Sequence, residues 1–89
     1  MSWDFEFTDP ARKQFLKLDA TVQKRIFKFL KERITAGDDP RRTANPLLGD
    51  FTGLWRYRVG DYRIICEMRD ETMIVLVVKV AHRRDIYRR

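Results

Sequence analysis

Residues 55–68 read WRYRVGDYRIICEM, and this stretch says more about the expected fold than any other. Apolar and polar residues alternate on both sides of Gly60-Asp61, which predicts two strands joined by a two-residue turn with glycine at its first central position. A turn of that length fixes the register, so that Arg58 faces Arg63. Because side chains alternate between the faces of a strand, the hairpin has one apolar face and one basic face.

The apolar face of the hairpin is expected to pack against the core. Its members are Trp55, Tyr57, Val59, Tyr62, Ile64 and Cys66. The other face receives Arg56, Arg58 and Arg63, although like charges at directly paired positions destabilise a sheet. A bound phosphate would explain the arrangement, because guanidinium groups hold phosphate through paired hydrogen bonds. The alternative is that the arginines spread into solvent and pair with Glu67 at little net cost.

The first 18 residues predict a strand and a short helix. Residues 3–7, WDFEF, alternate between aromatic and acidic side chains, which indicates a half-buried strand. Asp9 is the expected N-cap of the helix, with Pro10 at its first helical position.

A second, longer helix is expected to begin at Asp19 as N-cap and to end at Gly37. Its inward residues are predicted to be Val22, Ile26, Phe27, Leu30 and Ile34. The lysines and arginines of the two helices are interpreted as a solvated face, and contact of part of this face with phosphate is the less favoured alternative. Residues 38–53 are rich in Pro, Gly, Asp and Asn, and are expected to form a loop.

The register of the last strand, in residues 73–81, stays open. A three-residue loop at Asp70–Thr72 would put Lys79 and Arg83 on the arginine side, whereas a two-residue loop would turn them away. The order of strand, two helices and three strands predicts an α+β fold, with a helical hairpin on one face of a mostly antiparallel sheet.

Size and composition predict a single domain spanning residues 1–89. The net charge of +6 and the pI of about 9.9 favour an acidic partner, most commonly nucleic acid. One cysteine excludes an internal disulfide and any multi-cysteine metal site. The sequence shows no signal peptide and no apolar run of membrane-spanning length, so the cytoplasm is the expected compartment.

Three segments resemble a known family. ANPLLG (44–49), LWRYRVGDYRII (54–65) and VAHRRDIY (80–87) stand in the order and spacing typical of the RelE/ParE superfamily of toxin–antitoxin modules. The resemblance covers essentially the whole chain. It implies an N-terminal strand, a helical hairpin and a three-stranded antiparallel meander. It further implies a ribosome-dependent endoribonuclease that cuts mRNA in the ribosomal A site.

The resemblance also implies a set of site residues. The proposed catalytic residues are Arg56, Arg58, Arg63, Arg83 and Tyr87. In the expected reaction a ribose 2′-OH attacks the adjacent phosphate, which makes the chemistry specific for RNA. The reaction requires positioning, charge neutralisation and a proton for the leaving oxygen. Arg58 and Arg63 would neutralise charge, and Tyr87 would stack on a base. Arg83 would either stabilise the transition state or assist the leaving group.

The general base is unassigned. Some members of the superfamily carry lysines where Arg56 and Arg58 stand, and arginine is a poor base because it stays protonated. The remaining candidates are His82 and Tyr87, since histidine suits acid–base chemistry near neutral pH. A lone histidine at a strand end is more often structural, so both interpretations of His82 remain. Cys66 is interpreted as a small buried apolar residue.

General attraction to RNA is expected from further basic residues. These are Arg41, Arg42, Lys79, Arg84, Arg88 and Arg89. The resemblance implies a RelB-like antitoxin as partner, together with mRNA in the A site and rRNA, and the toxin–antitoxin complex could bind operator DNA. No cofactor, metal ion or membrane is expected.

Two other functions remain open. The first is a ParE-like inhibitor of DNA gyrase without RNase activity, in which the RNA-cleaving set is usually incomplete. The second is a non-catalytic RNA-binding relative. The presence of Arg63, Arg83 and Tyr87 favours the nuclease.

Overall fold

A computed structural model describes residues 2–36 and 38–87. Its elements are β1 (Asp4–Phe7), α1 (Asp9–Leu16), α2 (Ala20–Ile34), β2 (Asn45–Pro46), β3 (Trp55–Val59), β4 (Tyr62–Arg69) and β5 (Ile74–His82). The strands form one sheet in the order β1-β5-β4-β3-β2, in which β1 runs parallel to β5 and the other pairs are antiparallel. The predicted α+β architecture is confirmed. Within the predicted loop, the short strand β2 and two 3₁₀ turns, Pro40–Thr43 and Gly49–Phe51, are additional.

The helix starts differ in part from the prediction. Thr8, not Asp9, is the N-cap of α1, and its hydroxyl accepts a hydrogen bond from the Ala11 amide at 3.2 Å. Asp9 lies instead in the first turn, where its charge favours the helix dipole. Asp19 is the N-cap of α2 as predicted, although its side chain makes no capping hydrogen bond. The expected stop at Gly37 lies outside the described residues.

Both helices pack on one face of the sheet and form the main core with it. From α2, the fully buried side chains are Ile26, Leu30 and Ile34. The prediction that Phe27 points inward is wrong, because 47% of it is exposed beside Phe5 at the open β1 edge. Phe29 occupies the inner position instead and packs edge-on against the ring of Tyr57 at 5.7 Å.

The β3–β4 hairpin has the predicted register. Arg58 pairs with Arg63, and Val59 pairs with Tyr62 across the turn. Gly60 has φ +58°, which L side chains rarely adopt, so a glycine at the first turn position is required. The guanidinium of Arg25 from α2 lies over this turn, 3.0 Å from where a Cβ at position 60 would stand.

Neither predicted loop joins β4 to β5. Arg69 pairs with Ile74, so the connection has four residues, and by itself it would turn Lys79 away from the arginine side. A β-bulge between Ile65 and Cys66 shifts the register by one residue. Cys66 pairs with Val77, whereas Ile65, the residue before it, pairs with Lys79. Lys79 therefore shares the face of Ile65 and of the hairpin arginines.

A second, smaller core lies on the arginine side of the sheet. Its buried members are Leu47, Ile65 and Ile86, and Leu54, Val78 and Ala81 pack against them. Ile86 lies beyond the end of β5 and is 1% exposed, so the segment after β5 folds back onto the sheet. Within the described ranges, no helix has the length and apolarity needed to cross a membrane.

Candidate functional site

Three arginines share the sheet face opposite the helices. Arg56 and Arg58 come from β3 and Arg63 comes from β4, as the alternation of the hairpin predicts. Glu67, the alternative partner considered from the sequence, pairs instead with Arg69 at 3.2 Å. The arginine face, defined as the surface carrying Arg56, Arg58 and Arg63, is therefore not neutralised by Glu67.

Arg83 joins this positive cluster from the turn after β5. Its amide donates to the Asp61 carbonyl at 2.7 Å, and its Nε lies 3.9 Å from the Asp61 carboxylate. Partial burial, and then the charges of Arg58, Arg56 and Arg83, lower the pKa of Arg63. The charges of Arg58, Arg56 and Arg83 therefore all act against the positive charge of Arg63.

Backbone contacts orient the Arg63 side chain. Its Nη1 donates to the carbonyl of Gly60 at 2.8 Å and to that of Tyr62 at 2.9 Å. These bonds use one nitrogen and leave donors available, because a guanidinium has five N–H groups. Arg63 is therefore held in place and can still bind an anion.

Tyr87 completes the edge of the arginine face. Its hydroxyl accepts a hydrogen bond from Arg56 Nη1 at 2.9 Å, and its ring packs against Phe51 with 5.4 Å between centroids. The neighbouring Ile86 is buried in the second core and anchors this segment. Arg56 Nε is buried and has no hydrogen-bond partner, although buried polar groups usually have one. Tyr87 as a whole remains 45% exposed.

His82 lies on the other face of the sheet. It pairs with Tyr62, and the two rings are 5.5 Å apart on the helix side. Its Nδ1 accepts a hydrogen bond from the Arg84 amide at 3.3 Å. The sequence leaves His82 as a candidate acid or base or as a structural residue. The strand alternation turns the histidine away from the arginine face, which favours the structural interpretation.

Arg41 is held in a separate cluster. Its guanidinium makes a two-pronged ion pair with Asp70 at 2.7 and 2.9 Å, and lies over the rings of Trp3 and Trp55. The hydrogen bond to Asp70 is the main cause that raises the pKa of Arg41. The expectation that Arg41 contacts RNA is not supported by this geometry, which ties the 3₁₀ turn Pro40–Thr43 to the β4–β5 loop.

The other predicted RNA-binding residues are dispersed. Arg42 is exposed, lies 3.9 Å from Asp38 and belongs to the 3₁₀ turn Pro40–Thr43. This turn is bound to Tyr57 on the helix side of the sheet, so we do not assign Arg42 to the RNA site. Lys79 lies on the arginine side, and Arg84 is exposed in the turn after β5. Arg88 and Arg89 lie outside the described residues.

Sequence reasoning missed three residues that build the site. Leu47 and Ile86 anchor the two segments that border the arginine face, and Phe51 supports Tyr87. The available signal was Ile86, a single apolar residue within the charged stretch RRDIYRR.

Cys66 is fully buried in the main core, and this burial raises its pKa, so the thiol stays protonated. Within residues 2–36 and 38–87, no group of three or more His, Cys, Asp or Glu side chains could hold a metal ion. The arginine face itself presents guanidinium groups beside the phenol of Tyr87.

Comparisons with known proteins identify the family of the chain. The family model described as the ParE toxin of type II toxin-antitoxin system, parDE, matches residues 5–87. Toxin RelG of Mycobacterium tuberculosis (strain ATCC 25618 / H37Rv) is 32% identical over 89 residues, 100% of both chains. The mRNA interferase toxin RelE of Escherichia coli (strain K12) is 32% identical over 85 residues, 93% of this chain and 85% of that protein.

Solved structures have the same fold. A chain in the crystal structure of the toxin-antitoxin complex RelBE2 from Mycobacterium tuberculosis superposes with a TM-score of 0.83 at 26% identity, over 92% of this chain and 99% of that one. The fold and the sequence matches define a toxin of a type II toxin–antitoxin system. The chain belongs to the RelE/ParE family.

Proposed function

We propose that this toxin is a ribosome-dependent endoribonuclease that cleaves mRNA on its arginine face. The observation that carries the proposal is the convergence of Arg56, Arg58, Arg63 and Arg83 beside Tyr87. Mutual repulsion disfavours such a cluster in the free protein, and a bound phosphodiester would relieve it. The E. coli and Mycobacterium tuberculosis relatives are both named as toxins, and the former is named an mRNA interferase.

The proposed reaction forms a bond between the ribose 2′-oxygen and the adjacent phosphorus, and breaks the bond from phosphorus to the 5′-oxygen. The 2′-hydroxyl loses its proton, and the departing 5′-oxygen gains one. The products are a 2′,3′-cyclic phosphate and a free 5′-hydroxyl. A strand of DNA cannot react in this way because it lacks the 2′-hydroxyl.

Each site residue has a proposed role in that reaction. Arg58 and Arg63 face each other and would bind the phosphate oxygens, whose negative charge increases in the transition state. Arg83, at the rim, would stabilise the leaving oxygen. Arg56 holds the Tyr87 hydroxyl, so that the tyrosine ring can stack on a base. The rate enhancement would come from positioning and charge neutralisation, since His82 lies on the other face.

A RelB-like antitoxin is the proposed protein partner. The similar structures of Mycobacterium tuberculosis, Escherichia coli and Pyrococcus horikoshii are complexes of a toxin with its antitoxin. The net charge of +6 would attract an acidic segment that folds on binding. Action on ribosomes would place the free toxin in the cytoplasm.

A second candidate is inhibition of DNA gyrase without RNA cleavage. The observation in its favour is that the matching family model is that of a ParE toxin. In that case the arginine face would not process RNA, and its arginines could be replaced without loss of toxicity.

One experiment distinguishes the two functions. Purified toxin is added to ribosomes programmed with mRNA, and cleavage in the A site is mapped by primer extension, while gyrase supercoiling is measured in parallel. We expect cleavage by the wild type and a loss of at least about 100-fold in Arg63→Ala. Arg42→Ala removes the same charge from an exposed position outside the cluster and serves as the matched control. Intact mRNA together with inhibited gyrase would contradict the proposed nuclease.

A further inference from the structure

Phe51 and Tyr87 form an exposed aromatic pair at the edge of the arginine face. Their ring centroids are 5.4 Å apart and the ring planes are inclined by 52°. Phe51 is 38% exposed and Tyr87 is 45% exposed, so both rings present a surface to solvent. The pair therefore contributes apolar surface beside Arg56 rather than filling the core.

Two segments distant in sequence meet in this pair, and the second core holds both of them. Leu47 anchors the loop that carries Phe51, and Ile86 anchors the segment that carries Tyr87. The contact between the two rings therefore depends on the buried residues Leu47 and Ile86, and not on the exposed rings alone.

The loop of Phe51 is also braced internally. The Leu47 amide donates to the Leu54 carbonyl at 2.9 Å, and the Thr52 hydroxyl donates to the Gly49 carbonyl at 2.7 Å. Gly49 has φ +66°, a conformation that glycine adopts without strain. This bracing gives the Phe51 ring a defined position against Tyr87.

Within the described residues, Tyr87 is oriented by Phe51 on its ring and by Arg56 on its hydroxyl. The hydrogen bond fixes the position of one atom, whereas the ring contact also restrains rotation of the aromatic plane. Aromatic side chains that bind single-stranded RNA must present that plane to a base.

We propose that Phe51 is a positioning residue of the RNA site, which holds the ring of Tyr87 in the orientation that stacks on one nucleobase of the substrate. This inference rests on the proposed endoribonuclease function and adds a residue to it. The neighbouring guanidinium groups supply the contacts to the phosphate, and the oriented ring of Tyr87 supplies an aromatic face for the base. A single-stranded RNA nucleotide presents both of these chemical features together.

The test compares substitutions of Phe51 in the A-site cleavage assay, with kcat and KM measured separately. Phe51→Leu keeps an apolar side chain but removes the ring, and we expect it to reduce kcat/KM about tenfold or more, as loss of base stacking typically does. Phe51→Tyr keeps the ring and is expected to retain cleavage. Leu48→Ala, in the same loop and at an 82% exposed position, is the matched control and is expected to cleave like the wild type.

Two further measurements separate positioning from a structural role. The thermal midpoint of Phe51→Leu should stay within a few degrees of the wild type, because the ring is half-exposed. The double variant Phe51→Leu/Tyr87→Ala should be no slower than Tyr87→Ala alone, since Phe51 acts through the tyrosine.

Wild-type activity in both Phe51→Leu and Phe51→Tyr would overturn this inference and leave the nuclease intact. Normal cleavage by Phe51→Leu with lost antitoxin binding would also overturn it and would assign the pair to a protein interface. Absence of cleavage by the wild type would instead contradict the proposed function, and this inference with it.

Discussion

Arg58 and Arg63 are directly paired across the β3–β4 hairpin, with a third arginine on the same face and a fourth at its rim. Residues in this pairing have Cβ atoms about 5 Å apart, and like charges there destabilise the sheet. Partial burial is the main cause that lowers the pKa of Arg63, and the charge of Arg58 lowers it further. We therefore expect the arginine face to reduce the stability of the free toxin, as binding sites commonly do.

Replacing one member of the pair should stabilise the free protein while impairing its function. We expect Arg58→Gln to raise the thermal midpoint by about 1–5 °C at low salt, since a like-charge pair costs up to about 1 kcal/mol. The gain should shrink at high salt, because salt screens exposed charges. Thermal denaturation at two salt concentrations measures this, with Arg42→Gln as the control for net charge. A lower midpoint for Arg58→Gln would contradict the proposed repulsion.

The two contacts of Tyr87 can be separated by substitution. Tyr87→Phe removes only the hydrogen bond from Arg56 and keeps the ring beside Phe51. We expect it to cleave a few-fold more slowly than the wild type, whereas Tyr87→Ala should lose at least about tenfold through lost stacking. Primer extension on programmed ribosomes gives both rates. An equal loss in the two variants would mean that the hydroxyl, and not the ring, carries the role of Tyr87.

His82 should be dispensable for cleavage, because it contacts Tyr62 on the helix side of the sheet. We expect His82→Gln to retain cleavage within about threefold, since no proton transfer at the arginine face would pass through it. The rate should be measured from pH 5.5 to 8, where an essential histidine would impose a titration. Arg83→Gln, at the next position, is the matched comparison and should be strongly impaired. A loss of about 100-fold in His82→Gln would show that the histidine reaches the substrate.

The buried Tyr57 should make the fold sensitive to alkali. Burial raises the pKa of Tyr57 to about 12, and its hydroxyl donates to the Pro40 carbonyl at 2.8 Å. Because tyrosine in the unfolded chain ionises near pH 10, the unfolded state loses its proton first, and stability falls as the pH rises from about 10 towards 12.

Urea denaturation between pH 8 and 11 measures this decline. At pH 8 Tyr57→Phe should be less stable than the parent protein, because the substitution removes the hydrogen bond to Pro40. Above pH 10 its stability should fall less steeply. Cys66→Ala is the suitable background, since the raised pKa of the buried thiol acts in the same direction. If the free energy of unfolding depends on pH in the same way with and without Tyr57→Phe, the raised pKa of Tyr57 is contradicted.

The hairpin was predictable because its determinants are local. Gly60-Asp61 sets the loop length, and alternation then places every side chain of β3 and β4. Which phenylalanine of α2 faces the core was harder to predict, because Phe27 and Phe29 both lie near the boundary of the apolar stripe of the helix. Tertiary packing against Tyr57 selected Phe29.

The remainder of the site depends on contacts that are distant in sequence. The bulge opposite Ile65 and Cys66 alters the register of β5 in mid-strand, where no glycine or proline marks it. The placement of Tyr87 depends on Ile86 entering a core whose other members lie in three different segments. Beyond the bulge, the alternation of side chains along β5 also turns His82 away from the arginine face, although His82 and Arg83 are adjacent in the sequence.

The central proposal is that the arginine face cleaves RNA, and the chemistry of the cleaved ends tests it most directly. Wild-type toxin and Arg63→Ala are added to programmed ribosomes, and the 3′ ends of the fragments are analysed for a 2′,3′-cyclic phosphate. We expect A-site fragments with cyclic-phosphate ends from the wild type, and about 100-fold fewer from Arg63→Ala, with Arg42→Ala unchanged. Intact mRNA, or cleavage that Arg63→Ala leaves undiminished, would contradict the proposal.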